Sequence, residues 1–210
     1  MINLDPALRK ALADFAARDP AEMAEDSGAV FKLSEGCFVF PFAGRTVRLS
    51  YPEGELVPVG ADKLFVPELS QPARILCLHY LSLASGAPLT GRWVAFRELP
   101  GGAIYVAPFT KRVVQPFIDL FARLPEVLKR AARAIGGWTE DIGDVALTIP
   151  LLPRVPISYI LWLGDDEFPP SGSVLYDESA PSYLSTEDLI VAAGEGLWRL
   201  KAMSDGGETG

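Results

Sequence analysis

Apolar positions recur at helical spacing from the start of the chain. Leu4, Leu8, Leu12 and Phe15 lie three or four residues apart, with Asp5-Pro6 at the beginning, and predict an amphipathic helix over 4–17. A weaker helix opens at Asp19-Pro20 and ends at Ser27-Gly28. The pattern then changes to a β-hairpin. Cys37 to Phe42 and Arg45 to Tyr51 are strand-like runs joined by Ala43-Gly44, and the second run alternates in polarity. Pro52-Glu53-Gly54 closes the hairpin, and Val57 to Val66 reads as a short edge strand.

Ser70-Gln71-Pro72 opens the next helix, with proline at its first turn, and Ser85-Gly86 closes it. Arg92 to Glu98 reads as a strand, Leu99-Pro100-Gly101-Gly102 as a tight turn, and Ala103 to Ala107 as the returning strand. Helical stretches follow at 111–121 and 125–135, the latter stopped by Gly136-Gly137. Two β-rich runs, 144–151 and 156–163, flank Leu152-Pro153-Arg154-Val155, and a third covers 173–176. Ser185-Thr186-Glu187-Asp188 resembles a capping box with Asp in the reciprocal place and starts a helix to about Met203. Strands that come as hairpins, with helices gathered at the start, middle and end, predict an α+β fold: a mainly antiparallel sheet packed with about five helices. A single domain is expected over 1–203, followed by a flexible tail at 204–210.

Composition narrows the function classes. The 210 residues are 49% hydrophobic and carry a net charge of −8, which argues against a broad nucleic-acid-binding surface. The longest apolar stretch, Thr148 to Leu163, contains Arg154 and three prolines and cannot span a membrane. The first residues lack the pattern of a secretory signal, and the two cysteines, Cys37 and Cys77, stand alone. A cytoplasmic protein is therefore expected, with no iron–sulfur cluster bound by this chain alone, because two cysteines cannot supply four thiolates.

Three segments carry candidate chemistry. His79, the only histidine, lies on a helix that is apolar on nearly every side. It is either a hydrogen-bonded core residue or a functional imidazole, serving as a general base or as an axial ligand to iron or cobalt. In the Arg92–Glu98 segment, Arg97 could grip a carboxylate or phosphate bidentately, or could pair with one of the 27 acidic residues. Asp165, Asp166 and Glu167 follow an apolar strand and precede Phe168-Pro169-Pro170. They supply oxygen ligands suited to a divalent metal, although three neighbours in an extended chain do not point at one spot, and they serve equally well as turn residues. Trp93, Trp138, Trp162 and Trp198, with Tyr80, Tyr105, Tyr159 and Tyr183, are available to a flat ligand or to the core.

Taken together, Leu78-His79-Tyr80-Leu81, Pro88-Leu89-Thr90-Gly91-Arg92-Trp93, Phe96 to Gly102, Leu152 to Pro156, Leu161 to Pro169 and Tyr183 to Leu189 resemble the family known as domain of unknown function 3786. The resemblance covers most of the chain. Its members come largely from anaerobic bacteria and archaea, and some relatives carry an added cysteine-rich iron–sulfur domain. It implies at most a redox or cofactor-linked setting; together with His79 and the aromatic content it points to a cofactor- or small-molecule-binding accessory protein of anaerobic redox or one-carbon metabolism, with a tetrapyrrole, a corrinoid or a divalent metal as candidate cofactors. Two other readings stay open: a metal-dependent hydrolase or transferase using an Arg/Glu/Asp site, and an interaction module for an iron–sulfur protein partner. The family carries over no catalytic residue. It directs attention to His79, Trp93, Arg97, Glu98 and Asp166, and Arg154 and Trp162 stand beside them as ligand-binding candidates.

Overall fold

The computed structural model describes residues 4–60 and 69–205. Helices α1 (Asp5–Ala16) and α2 (Pro20–Ser27) each begin with proline in the first turn, where its missing N–H is no loss. Asp19 caps α2 by accepting from the backbone N–H groups of Ala21 and Glu22, and Gly28 ends it in a left-handed conformation. The first sheet is antiparallel and follows chain order: β1 (Val30–Lys32), β2 (Cys37–Phe42), β3 (Arg45–Ser50) and β4 (Leu56–Pro58). In β3 the buried positions Arg45, Val47 and Leu49 alternate with exposed ones, as a strand covered on one face requires. The expected edge strand is seen only in its first part, since 61–66 lie outside the described residues.

The second sheet has the order β5-β9-β8-β7-β6, with β5 (Trp93–Ala95), β6 (Trp138–Glu140), β7 (Val145–Leu152), β8 (Val155–Trp162) and β9 (Ser171–Asp177), and every pairing is antiparallel. Its central strands β7 and β8 are buried along nearly their whole length, which explains why they read as continuous apolar runs and not as alternating ones. The tip of the β2–β3 hairpin ties the sheets together. Ala43, at φ 48°, donates its N–H to the Leu151 carbonyl at 2.8 Å and accepts from Arg199 Nε at 3.2 Å. Its neighbour Gly44 lies so close to Ile135 that a Cβ there would stand 2.3 Å from the isoleucine side chain.

The remaining helices are α3 (Gln71–Leu83), α4 (Gly102–Phe109), α5 (Gln115–Phe121), α6 (Pro125–Ala134) and α7 (Thr186–Asp205). Helices α4 and α5 are two parts of one helix, joined through a π turn over Thr110–Val114. Helix α3 packs against α1, α2 and α7, while α7 also packs against α6, the π turn and β7. The buried apolar side chains of both sheets and of these helices form one cluster. Two phenols fix α7 to the second sheet, Tyr159 donating to the Ala193 carbonyl at 2.7 Å and Tyr176 to the Leu189 carbonyl at 2.9 Å. No helix among the described residues is long and apolar enough to cross a membrane.

The α+β class and the hairpins agree with the sequence pattern, and one region does not. The strand expected over 92–98 stops at Ala95, and Phe96–Glu98 form a 3-10 turn. The expected returning strand at 103–107 is helix α4. Gly101 turns the chain in the left-handed region, and Gly102 lies against the Phe96 carbonyl, where a Cβ would stand 1.9 Å from its oxygen. The helix so started places the Phe109 ring on the Phe96 ring, with centroids 4.2 Å apart. Packing thus overrides the β propensity of Ile104, Tyr105 and Val106. Likewise, α7 continues through Asp205 where a frayed tail was expected from Ser204, and 206–210 lie outside the described residues.

Candidate functional site

Helix α3 begins with the Ser70 hydroxyl accepting from the Ala73 N–H at 3.1 Å, and Pro72 stands in its first turn. Ala73, Ile75, Leu76, Cys77, Leu78, Tyr80, Leu81 and Ser82 are all buried, which makes it the central helix of the fold. His79 interrupts this series as a half-buried residue on the side that meets α7. Its Nδ1 lies 2.9 Å from Asp188 Oδ1, and the two side chains keep 28% and 12% exposure.

Asp188 has two tasks. Its Oδ2 accepts from the Ser185 hydroxyl at 2.7 Å, while its backbone N–H donates back to that hydroxyl at 3.1 Å. This is the reciprocal cap that starts α7, and it leaves Oδ1 for the imidazole. A carboxylate only accepts, so Nδ1 is the donor, and in the neutral ring the lone pair lies on Nε2. Among the described residues Nε2 has no hydrogen-bond partner, in a side chain that keeps 28% exposure. A carboxylate that orients one ring nitrogen and leaves the other for a ligand or a proton is the arrangement found behind metal-ligating and general-base histidines.

The turn that follows β5 lies against the start of α7. The Thr186 hydroxyl donates to the Pro100 carbonyl at 2.5 Å. The Glu187 carboxylate beside Tyr105 is the main reason its phenol is shifted upward. In that turn Glu98 accepts from the Ala95 N–H at 2.7 Å, and Arg97 is exposed. Trp93 is half-buried in β5, opposite Asp177 in β9. On another side of α3, Arg154 donates its backbone N–H to the Tyr80 hydroxyl at 3.1 Å, and that hydroxyl donates to the Ser27 carbonyl at 2.5 Å. The Arg154 side chain is half-buried beside Gly28.

The acidic run lies apart, at the tip of the β8–β9 hairpin. Asp165 Oδ1 accepts from the backbone N–H groups of Glu167 and Phe168 at 2.9 and 2.8 Å, and these bonds hold its carboxyl below the usual carboxylate range. Asp166 and Glu167 are exposed, as is Trp162 at the end of β8. No group of three or more His, Cys, Asp or Glu residues able to hold a metal ion occurs among the described residues. The tip is separated from Asp177 by the six steps of β9, roughly 20 Å at a strand rise of about 3.3 Å. Asp177 itself is 2% exposed and accepts from Thr90, Gly91 and Ser179, fastening the segment before β5 to the end of β9.

Sequence reasoning singled out His79 and read Asp188 as a helix cap. It missed that the two meet, 109 positions apart. Neither cysteine adds a nucleophile, because burial raises both thiols, most strongly that of Cys77.

No curated protein and no solved structure matches the chain. One family model does, over residues 19–197, a span that holds His79, Trp93, Arg97, Glu98, Arg154, Trp162, the Asp165–Glu167 turn and Asp188. The chain belongs to the family described as a domain of unknown function, DUF3786.

Proposed function

We propose that this chain binds a small molecule or cofactor through the outer nitrogen of His79, as an accessory protein of anaerobic redox or one-carbon metabolism. The observation that carries the reading is the His79–Asp188 pair: one nitrogen is held at 2.9 Å and the other has no partner among the described residues, in a side chain that keeps 28% exposure. An imidazole so held is a good single axial donor to the iron or cobalt of a tetrapyrrole or corrinoid, and the carboxylate behind it strengthens that donor. The metabolic setting rests on the kind of organism in which the family occurs. Arg97, Glu98 and the Asp165–Glu167 turn give less support to a metal-dependent hydrolase or transferase, since Glu98 and Asp165 already accept from backbone N–H groups.

The test is anaerobic titration of the purified chain with haem and with cobalamin, followed by visible absorption. A spectral shift is expected that His79→Ala removes and Asp188→Asn weakens. If neither ligand shifts its spectrum with the wild type, the tetrapyrrole and corrinoid reading fails.

A second reading, an interaction module for an iron–sulfur protein, has one observation in its favour. Ile104 of α4 is 81% exposed and Val106 is 37% exposed, so apolar surface is available to a partner. Co-purification that retains an iron–sulfur protein on the wild type and not on Ile104→Glu supports it. Equal retention on both refutes it.

A further inference from the structure

Helix α7 holds two glycines, two positions apart, in opposite circumstances. A Cβ on Gly196 would stand 2.4 Å from the Tyr159 hydroxyl oxygen and 2.8 Å from Ile149, so packing forbids a side chain there. A Cβ on Gly194 would meet nothing within 4 Å. Glycine inside a helix is less favourable than alanine, and at Gly194 no close packing offsets the difference. What the missing side chain leaves is a groove of about 310 Å³ between α7 and the π turn.

The walls of this groove are chemically mixed. On α7, Trp198 is 58% exposed beside Gly194 and Glu195. Across from them the π turn presents Arg112 and Val113. π turns are rare, and many occur at functional sites. Glu195 is half used: Oε1 accepts from the Ser70 hydroxyl at 2.9 Å. Oε2 has no hydrogen-bond partner among the described residues, the Arg45 charge acts on the same carboxyl, and Glu195 is one of the residues that line the groove.

We propose that this groove binds a flat heteroaromatic ligand that carries N–H donors on one edge and an anionic group on the other. Trp198 offers a face for stacking, and Gly194 lets the ring lie close to the helix. Glu195 accepts from the N–H edge, while Arg112 pairs with the anion. The volume is at the small end of ligand pockets, which suits a mononucleotide or a pterin. The site shares no side chain with the His79–Asp188 pair and does not depend on the function proposed for it.

The experiment is calorimetric titration of the full chain with adenosine monophosphate, guanosine monophosphate and pterin-6-carboxylate. Saturable binding of at least one is expected, weakened tenfold or more in Glu195→Gln and in Trp198→Ala. Gly194→Leu fills the groove and should abolish binding while the melting temperature is unchanged or raised, because open space receives the new side chain. His79→Ala should leave binding intact. Absence of saturable binding to the wild type with all three probes overturns the proposal. So does undiminished binding in a folded Gly194→Leu, or loss of binding in a folded His79→Ala.

Discussion

Replacing Asp188 by asparagine tests the central geometry with one atom changed. The amide oxygen can remain with the Ser185 hydroxyl, preserving the cap of α7. The amide NH2 then faces His79 Nδ1, which was 2.9 Å from the carboxylate. Two donors cannot share that contact, so the ring must give up its Nδ1 proton and carry it on Nε2 instead. The charge-assisted bond, worth about 1.5–3 kcal/mol, gives way to a neutral one worth about 0.5–1.5 kcal/mol. Since the His79 and Asp188 side chains keep 28% and 12% exposure, water makes up part of the loss, and about 1–2 kcal/mol is expected. For a chain of this size that corresponds to a melting point lower by about 2–8 °C. The direct assay is nitrogen-15 NMR of histidine-labelled protein at alkaline pH, where the single histidine gives one pair of ring signals. The wild type should show a protonated Nδ1 and a bare Nε2, and Asp188→Asn the reverse. The same tautomer in both proteins would refute the reasoning, and with it the claim that Asp188 sets which nitrogen faces outward.

Other outcomes follow from the buried carboxyls. Asp177→Ala should cost about 3–5 kcal/mol by urea unfolding, because both bonds from buried Ser179, at 2.9 and 2.6 Å, lose a charged acceptor; a cost under about 1 kcal/mol would contradict this. Burial raises the Asp177 carboxyl, but the bonds from Ser179, Thr90 and Gly91 outweigh it and the net shift is downward. Its contribution to stability is thus present above the ordinary aspartate value of ~3.9 and is lost as pH falls through the folded value, and unfolding of Asp177→Asn should depend less on pH in that acid range. Glu195 has the opposite sign. Burial raises its carboxyl despite Ser70 and Arg45, so the stability linked to it is present below the unfolded value of ~4.3 and is lost as pH rises through the folded one. Glu195→Gln should therefore gain on the wild type as pH rises through that window, and a difference that stays constant with pH would count against it.

Where local signals agree with packing, the sequence is easy to read. Helices α1, α2, α3, α6 and α7 combine helical periodicity with proline or a capping side chain at the start, and the β2–β3 and β7–β8 hairpins combine apolar strands with two-residue turns. Strands β1 and β6 were invisible because each has three residues, and their burial shows no full alternation. Helix α4 misleads because it is apolar throughout, so no 3.6-residue period appears, and its position follows from the Gly101-Gly102 turn and the Phe96–Phe109 stack. For the site, Asp188 was legible as a cap and His79 as an oddity, but a carboxylate has two oxygens and local pattern uses only one of them. Asp165, Asp166 and Glu167 show the opposite failure. Their clustering suggests an ion, whereas Asp165 bonds the backbone of its own turn.

The seam between α3 and α7 has two polar pins: Ser70 to Glu195 at one end and His79 to Asp188 at the other. The helices run antiparallel, and the pins lie seven residues apart on α7, roughly 10 Å at a rise of ~1.5 Å per residue. Leucine and isoleucine side chains between helices tolerate more than one register; a hydrogen bond of 2.9 Å does not. A slip of α7 by one residue would move both pins out of reach together, and a rotation about its axis would do the same. Along this seam the chain therefore has a single setting, and the distance between the open nitrogen of His79 and the floor of the groove at Gly194 is fixed by a helix and not by a loop.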